Sequence, residues 1–509
     1  MEAIQNILPK GLPVTVQIII ATILLSLVYS FLTKNRPWSN FPLIKVRGLG
    51  PRKSWLAHGD EVLTEGLKKT NGPFQVMTGT GPKIVLPNRY ADEIRNLPEL
   101  DFSKAFISDF FINYPGFEAH KQGFASGHLL RDTVRIKLTQ SLGLVTGDLV
   151  DETISTVDDV FGRSEEWTTR MIREDLLEVV ARVSSRVFLG AGLCRNRRWL
   201  DIAKTFTVDS FTLSFIMRMV PAIARPLAYL LAPQSARLRK SVRDAHTLIM
   251  PEVEKRKAAV DAARAAGEKP PKVADTIGWM YDMAKGQNYD FVLSQLSLTM
   301  AAIHTTTESA CRALLDLCKY PDAAQQLRDE IIEVVGREGW AKTTLYKLKL
   351  MDSFLKEGQR VTPLGSLSMN RYVEKPVTLS DGIVLPKGAR ICVISDFANP
   401  DVYAEPKKFD VARFVKKRLE PGQENNWQFV TTTASHLNFG HGEHACPGRF
   451  FASNELKIVL CHLIMKYDWR FVPDAPEPLP RTFEATKSCK ADTQIQARRR
   501  KAEIDLDAL

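Results

Sequence analysis

The chain has 509 residues, 44% hydrophobic and 25% charged, a composition that excludes a disordered or collagen-like protein and allows a large core. Its 69 Lys and Arg against 58 Asp and Glu leave a formal charge of +11, but the basic residues are spread among the acids, which argues against a nucleic-acid binder. Seven scattered cysteines with no C-x-x-C pair argue against a disulfide framework or a zinc site and for a reducing compartment.

The first predicted element is a membrane anchor. Residues 11–33, "GLPVTVQIIIATILLSLVYSFLT", carry no charge and are long enough to cross a bilayer. A cleaved signal peptide would be shorter and would end on small residues, whereas this stretch runs into "KNRPW". Lys34, Arg36, Lys45, Arg47, Arg52 and Lys53 follow without an intervening acid, so positive charge holds the body on the cytosolic side of a single span.

Residues 34–52, punctuated by Pro37, Pro42 and Pro51, are predicted as a stiff extended basic hinge. One catalytic domain is expected over 53–495. It opens with a hairpin at "FQVMTGTGPKIVLP", then helical patterns dominate from Ala91 to Lys319 apart from a surface loop at "AAGEKPPK". A second β-rich patch lies at "VTLSDGIVLPKGARICVI", and a last long helix follows Cys446 with Leu456, Val459, Leu460, Leu463 and Tyr467 on one apolar face. The fold class is therefore mainly α with small β-sheets. Residues 496–509, with "RRRK" at Arg498–Lys501, read as a solvated tail, or as a surface for an acidic membrane or partner.

The stretch "FGHGEHACPGRFFA" crowds glycines and histidines around Cys446. Pro447 suits a first helical position, which would make Cys446 the N-cap and favour its thiolate at the positive end of the helix dipole. Gly440, Gly442 and Gly448 would let backbone N–H groups and a flat ligand approach. A buried cysteine at a turn is the alternative, and spacing alone leaves both readings open.

Phe439, Gly442, Cys446 and Gly448 fit F-x-x-G-x-[RH]-x-C-x-G, with His444 at the basic position, and this loop resembles the heme-binding loop of the cytochrome P450 family. "KEGQR" supplies Glu357 and Arg360 as E-x-x-R, "FDVARF" supplies Arg413 and Phe414, and "AAIHTTTE" falls where the family keeps its central helix. All four occur in the family's order and cover essentially the whole body. The details "HTTTE", "KLTQSLG", "SLSMNRYV" and "HACPGRFFA" resemble fungal secondary-metabolism members such as ent-kaurene-oxidase-like and indole-diterpene oxidases.

The resemblance implies the cytochrome P450 fold and heme b, with Cys446 as the axial thiolate that favours O–O cleavage. Phe439 and Gly440 would shield the ligand. Glu357, Arg360 and Arg413 would form a buried triad holding the loop, although an i, i+3 pair such as Glu357 and Arg360 is more often a solvated surface pair. His444, Arg371, Arg131 and Arg135 are candidates for the heme propionates; Arg131 stands where the family often keeps Trp. His444 in place of Arg would make that grip pH-sensitive. Ala302 gives room for the heme, Thr305 with Thr306 matches the family's proton-passing hydroxyl, and His304 replaces an acid as a relay or as a locally hydrogen-bonded group.

"PLGS" at 363–366 and the apolar stretch Ser108–His120 would line the substrate pocket, unless Phe110, Phe111 and Phe117 are simply core. Arg449 and Lys457 would help dock a reductase. The implied activity is a monooxygenase of the endoplasmic reticulum membrane, fed with NADPH electrons by NADPH-cytochrome P450 reductase and acting on a hydrophobic terpenoid or meroterpenoid. Alternatives are the same heme chemistry without net oxygen insertion (desaturation, rearrangement, peroxygenase) or a non-catalytic heme-thiolate sensor or carrier.

Overall fold

The computed structural model describes residues 13–34, 36–124, 128–269, 273–287 and 289–509. Val14–Lys34 forms a 21-residue helix, so the expected anchor is helical where it is described; residues 11 and 12 lie outside the described residues. Side chains of part of its second half are also outside that set, and among the described residues no helix is long and apolar enough to cross a membrane.

The expected hinge is packed, not free. Phe41 and Ile44 are buried, Leu43 bridges to Gln75, and Gln75 Oε1 accepts the Trp38 N–H at 2.9 Å. Pro51 opens a helix, Pro51–Lys69, because a first helical position needs no N–H donor. The following hairpin pairs Phe74–Thr78 with Gly81–Leu86 antiparallel. It joins a five-stranded sheet in the order Phe74–Thr78, Gly81–Leu86, Arg390–Ile394, Leu367–Val373, Leu100–Asp101. Within this sheet only the contact between Gly81–Leu86 and Arg390–Ile394 is parallel, and 303 residues lie between these strands in the chain, so helices fill the crossover.

The largest core lies among helices. Phe291–Lys319 runs through it, packed against Ile172–Leu189, Arg197–Met219, Pro233–Ala265 and Arg449–Lys466, with Leu296, Ile303, Leu314, Val183, Phe206 and Leu460 fully buried. Buried on nearly all sides, Phe291–Lys319 needs the apolar residues that its sequence shows all round. The helix Arg449–Lys466 differs from expectation. Glu455, Lys457, His462 and Lys466 are buried along with its leucines, so it has no single apolar face, and Tyr467 already begins a strand.

The C-terminal tail also departs from the solvated reading. Gln494–Arg499 is the middle strand of a three-stranded sheet, antiparallel to both Thr168–Met171 and Tyr467–Arg470. Arg498 pairs with Asp468 at 3.0 Å and Arg499 with Asp158 at 2.9 Å, while Leu506 is buried. The basic run is neutralised by acids that sit hundreds of positions away in the case of Asp158, which local charge counting does not see. Of the expected surface loop at "AAGEKPPK", residues 266–269 follow the end of the helix Pro233–Ala265, and 270–272 lie outside the described residues.

Candidate active site

The cysteine loop is closed by its own backbone: the Cys446 N–H donates to the Phe439 carbonyl at 2.7 Å. Gly440 (φ 70°) and Gly442 (φ 74°) take the left-handed region that other residues resist. A Cβ on Gly442 would fall 2.7 Å from Arg95 Cβ and 2.8 Å from the Arg95 carbonyl, so this glycine admits a protein neighbour, not a ligand. Asn96 Oδ1 accepts the Glu443 N–H at 2.8 Å, and His441 Nε2 lies 2.8 Å from Asp92, which fixes the loop against the segment after the hairpin. On the other side Phe439 meets Phe429 edge-on at 5.2 Å.

The helix behind the loop begins later than expected. Its N-cap is Gly448 and it spans Arg449–Lys466, so Pro447 and Cys446 lie in the turn before it. The amide N–H groups of Gly448 and Arg449 nevertheless reach the sulfur. Burial pushes the Cys446 thiol above its ordinary range; those N–H groups and the Arg449 guanidinium act in the opposite direction. Helix-end placement alone therefore does not make this sulfur a thiolate, and a cation bound to it would have to supply the balance.

Glu357, Arg360 and Arg413 meet in the interior, at 0%, 2% and 7% exposure. Arg360 donates to Glu357 through Nε and Nη2, both at 2.8 Å, and Arg413 Nε reaches both Glu357 oxygens. Remaining donors are used on backbone carbonyls: Arg360 on Phe397, Pro406 and Lys408, Arg413 on Ala404 and Lys408. Saturation of this kind lets three charges persist without water. The same helix, Lys349–Val361, carries two groups that sequence reasoning missed. Asp352 pairs with Lys457 at 2.7 Å and accepts the Phe429 N–H, and Lys356 Nζ donates to the carbonyls of Gln428 and Thr431, both at 3.0 Å. The spacing of Asp352, Lys356 and Arg360 every four residues is the signal that marked them.

Three of the four propionate candidates converge. Arg371 is buried 2% exposed beside the Phe102 ring, and its Nη2 has no hydrogen-bond partner. Its strand carries a register shift between Ser368 and Arg371, with Met369 at φ 52°, a bulge that re-aims the side chain. His444 lies 5.8 Å from the same Phe102 ring. Burial lowers the His444 pKa, and the charges of Arg371 and Arg131 lower it further. Burial also lowers Arg371 to about 10, with Asp101 and Glu443 opposing. Arg135 is exposed on the π-helical turn Thr133–Leu138, and no contact joins it to this cluster.

On the central helix, Ala301 and Thr305 are exposed although the helix around them is buried, and Ala302 is half-buried. Thr305 Oγ1 donates back to the carbonyls of Ala301 (2.8 Å) and Ala302 (3.2 Å). Thr306 is buried. His304 is turned away: one residue advances about 100° round the helix, and its Nε2 lies 3.1 Å from the Lys204 carbonyl on a neighbouring helix. Burial, aided by Arg173 and opposed by that carbonyl, lowers its pKa to about 4, and its bond to that carbonyl matches the locally hydrogen-bonded reading. Arg449 and Lys457 do not form a docking patch either. Lys457 is buried against Asp352, and Arg449 bonds the carbonyls of Val430 and Cys446. In the substrate-lining stretches, Phe117 is core, Phe111 partly buried, Phe110 buried, and Ser366 donates to Asp60 at 2.6 Å.

A heme group fits these residues. The site offers a half-buried sulfur under two amide N–H groups, an unpartnered buried guanidinium N–H beside two further basic side chains, and an open strip at Ala301 and Thr305 in an otherwise enclosed helix. Cys446 would hold the iron, and Arg371, His444 and Arg131 the acidic edge.

Comparison with known proteins agrees. The cytochrome P450 family profile matches residues 128–492. The chain is 41% identical over 486 residues to the cytochrome P450 monooxygenase bsc2 of Alternaria brassicicola, covering 94% of this chain and 92% of that protein. It is 38% identical over 500 residues to the cytochrome P450 monooxygenase adrA of Penicillium rubens, 96% of each chain. It is 37% identical over 437 residues to the dihydromonacolin L monooxygenase mokC of Monascus pilosus, 86% of this chain and 83% of that protein. The chain belongs to the cytochrome P450 family and is, like these relatives, a monooxygenase of the heme-thiolate type.

Proposed function

We propose that this monooxygenase acts in fungal secondary metabolism on a hydrophobic terpenoid or meroterpenoid intermediate, on a single-pass anchor in the endoplasmic reticulum membrane with its body in the cytosol. Electrons come from NADPH through NADPH-cytochrome P450 reductase. The observation that carries the catalytic reading is one loop that holds the half-buried thiol of Cys446 under two amide N–H groups and, two residues earlier, His444 near the buried Arg371, whose Nη2 has no partner. When bound, the heme supplies activation of dioxygen and attack on an unactivated C–H bond.

The protein's own residues do the rest. The N–H groups of Gly448 and Arg449 stabilise negative charge on sulfur, and Phe439 with Phe429 keeps water from it. Glu357, Arg360 and Arg413 hold the segment that leads into the loop. Thr305 Oγ1, on the exposed strip of the central helix, is placed to pass a proton. The reasons for membrane attachment are the uncharged stretch 11–33 with the basic residues that follow it, and the exposed leucines Leu227, Leu230 and Leu231, which a lipid surface would cover. A hydrophobic substrate is supported by the apolar residues of the 108–120 stretch, and its terpenoid class by the resemblance of "HTTTE", "SLSMNRYV" and "HACPGRFFA" to fungal terpenoid-oxidising members.

The test is co-expression with a fungal P450 reductase in yeast fed candidate terpenoids. A thiolate-type band in the reduced, carbon-monoxide-bound spectrum together with a product heavier by one oxygen is expected. A folded protein with no such band would sink the catalytic reading; a band without oxidation of any terpenoid would sink the substrate class.

A further inference from the structure

His120, in the short helix Glu118–Phe124, is fully buried, yet neither Nδ1 nor Nε2 has a hydrogen-bond partner. Its ring is surrounded by Phe117 at 5.2 Å, Phe110 at 5.3 Å, Phe206 at 6.0 Å and Phe106 at 6.4 Å. Burial lowers its pKa to about 3, so it is a neutral imidazole with one N–H and one lone pair, both unused. An apolar side chain of the same shape would avoid the desolvation that this ring suffers for no return within the protein. Beside Phe206, the hydroxyl of Thr207 is also buried without a partner.

The ring also stands in the right place. Gly123, three residues on and on the same helix face, is pressed against the Ser297 hydroxyl, one turn before Ala301 and two before Thr305. Ring-to-ring contacts lead to it from the propionate cluster: His444 to Phe102 (5.8 Å), Phe102 to Phe124 (6.2 Å), Phe124 to Phe106 (3.7 Å) and Phe106 to Phe110 (4.3 Å). Phe110 in turn meets Phe211, which is exposed, so the shell around the imidazole reaches the accessible surface through Phe110.

The geometry points to His120 as a specificity-determining residue that hydrogen-bonds an oxygen already present on an otherwise hydrocarbon substrate, a hydroxyl or carbonyl placed by an earlier oxidation or cyclisation. This rests on the monooxygenase reading and narrows its substrate from a bare hydrocarbon to an oxygen-bearing one. Phe110 swings aside and the substrate oxygen takes the vacant partner position at the imidazole.

The experiment uses the full-length heme-loaded protein and three matched probes: 5α-androstane, 5α-androstan-17β-ol and 5α-androstan-17-one. Equilibrium dialysis and the heme spectral shift give affinities for wild type, His120→Phe and His120→Gln, and thermal unfolding is read on each ligand-free form. Wild type is expected to bind the alcohol or ketone about tenfold more tightly than the hydrocarbon. His120→Phe should abolish that preference and raise the ligand-free Tm, and His120→Gln should restore part of the preference. Equal affinity for all three probes in wild type, or no binding of either oxygenated probe, overturns the inference. A lower Tm in His120→Phe with the preference intact also overturns it and assigns the ring to a buried water. Absence of the thiolate band is the separate failure of the monooxygenase reading.

Discussion

Arg413 Nε donates to both carboxylate oxygens of Glu357, at 3.0 and 3.1 Å, across 56 positions of chain. Glu357 also accepts Arg360 and the Asp410 N–H, so one carboxylate organises two guanidinium groups and a loop. Glu357→Gln leaves two buried cations sharing a neutral amide and should cost about 3–5 kcal/mol of stability. Urea unfolding and heme content per mole of protein are the readouts. A variant within 1 kcal/mol of wild type would contradict the account.

Cys446→Ala should abolish the thiolate-type spectrum while the body stays folded, since the loop is closed by the backbone bond to Phe439 and by contacts to Asn96 and Asp92 that do not involve sulfur. Circular dichroism reports the fold and the carbon monoxide difference spectrum reports the ligand. Survival of the band would move the iron ligand elsewhere.

Thr305→Ala should keep the spectrum but divert reductase electrons, lowering product formed per NADPH by about tenfold or more as peroxide accumulates. Thr305→Ser keeps the hydroxyl and should recover much of the coupling. Because His304 bonds the Lys204 carbonyl on another helix, His304→Asn should change coupling far less than Thr305→Ala.

Arg371→Met removes a guanidinium whose Nη2 satisfies nothing in the protein. Stability without heme should hold or rise, whereas transfer of heme to apomyoglobin should speed up severalfold. If heme loss is unchanged, the acidic edge is held by other groups.

Lys356 gives a pH dependence. Burial lowers its pKa from 10.5 to about 7, with Asp352 opposing. Between these values the unfolded chain binds a proton that the folded one does not, so this group makes stability rise with pH from about 7 toward 10.5, by up to about 1.4 kcal/mol per unit. Lys356→Met should flatten that slope in urea melts between pH 7 and 9.5. An unchanged slope would show that the ammonium stays charged on the carbonyls of Gln428 and Thr431.

What was legible along the chain were features with local spacing. Cys446 stands among glycines, two of which need positive φ, and Glu357 and Arg360 are one helical turn apart. Less legible were features set by partners far away. Lys457 and the run Arg498–Lys501 read as solvent-facing because Asp352, Asp158 and Asp468 sit elsewhere in the chain. The orientation of His304 depends on a carbonyl on another helix, and the start of the last helix on a turn that keeps Cys446 free of it. The convergence of Arg371, His444 and Arg131 needed a bulged strand, which no periodic pattern announces.

The strand Gln494–Arg499 lies between two others that do not pair with each other. Thr168–Met171 and Tyr467–Arg470, almost 300 positions apart, share a layer only through it, so deleting 494–499 would leave two raw edges, a substrate for quality control instead of an enzyme.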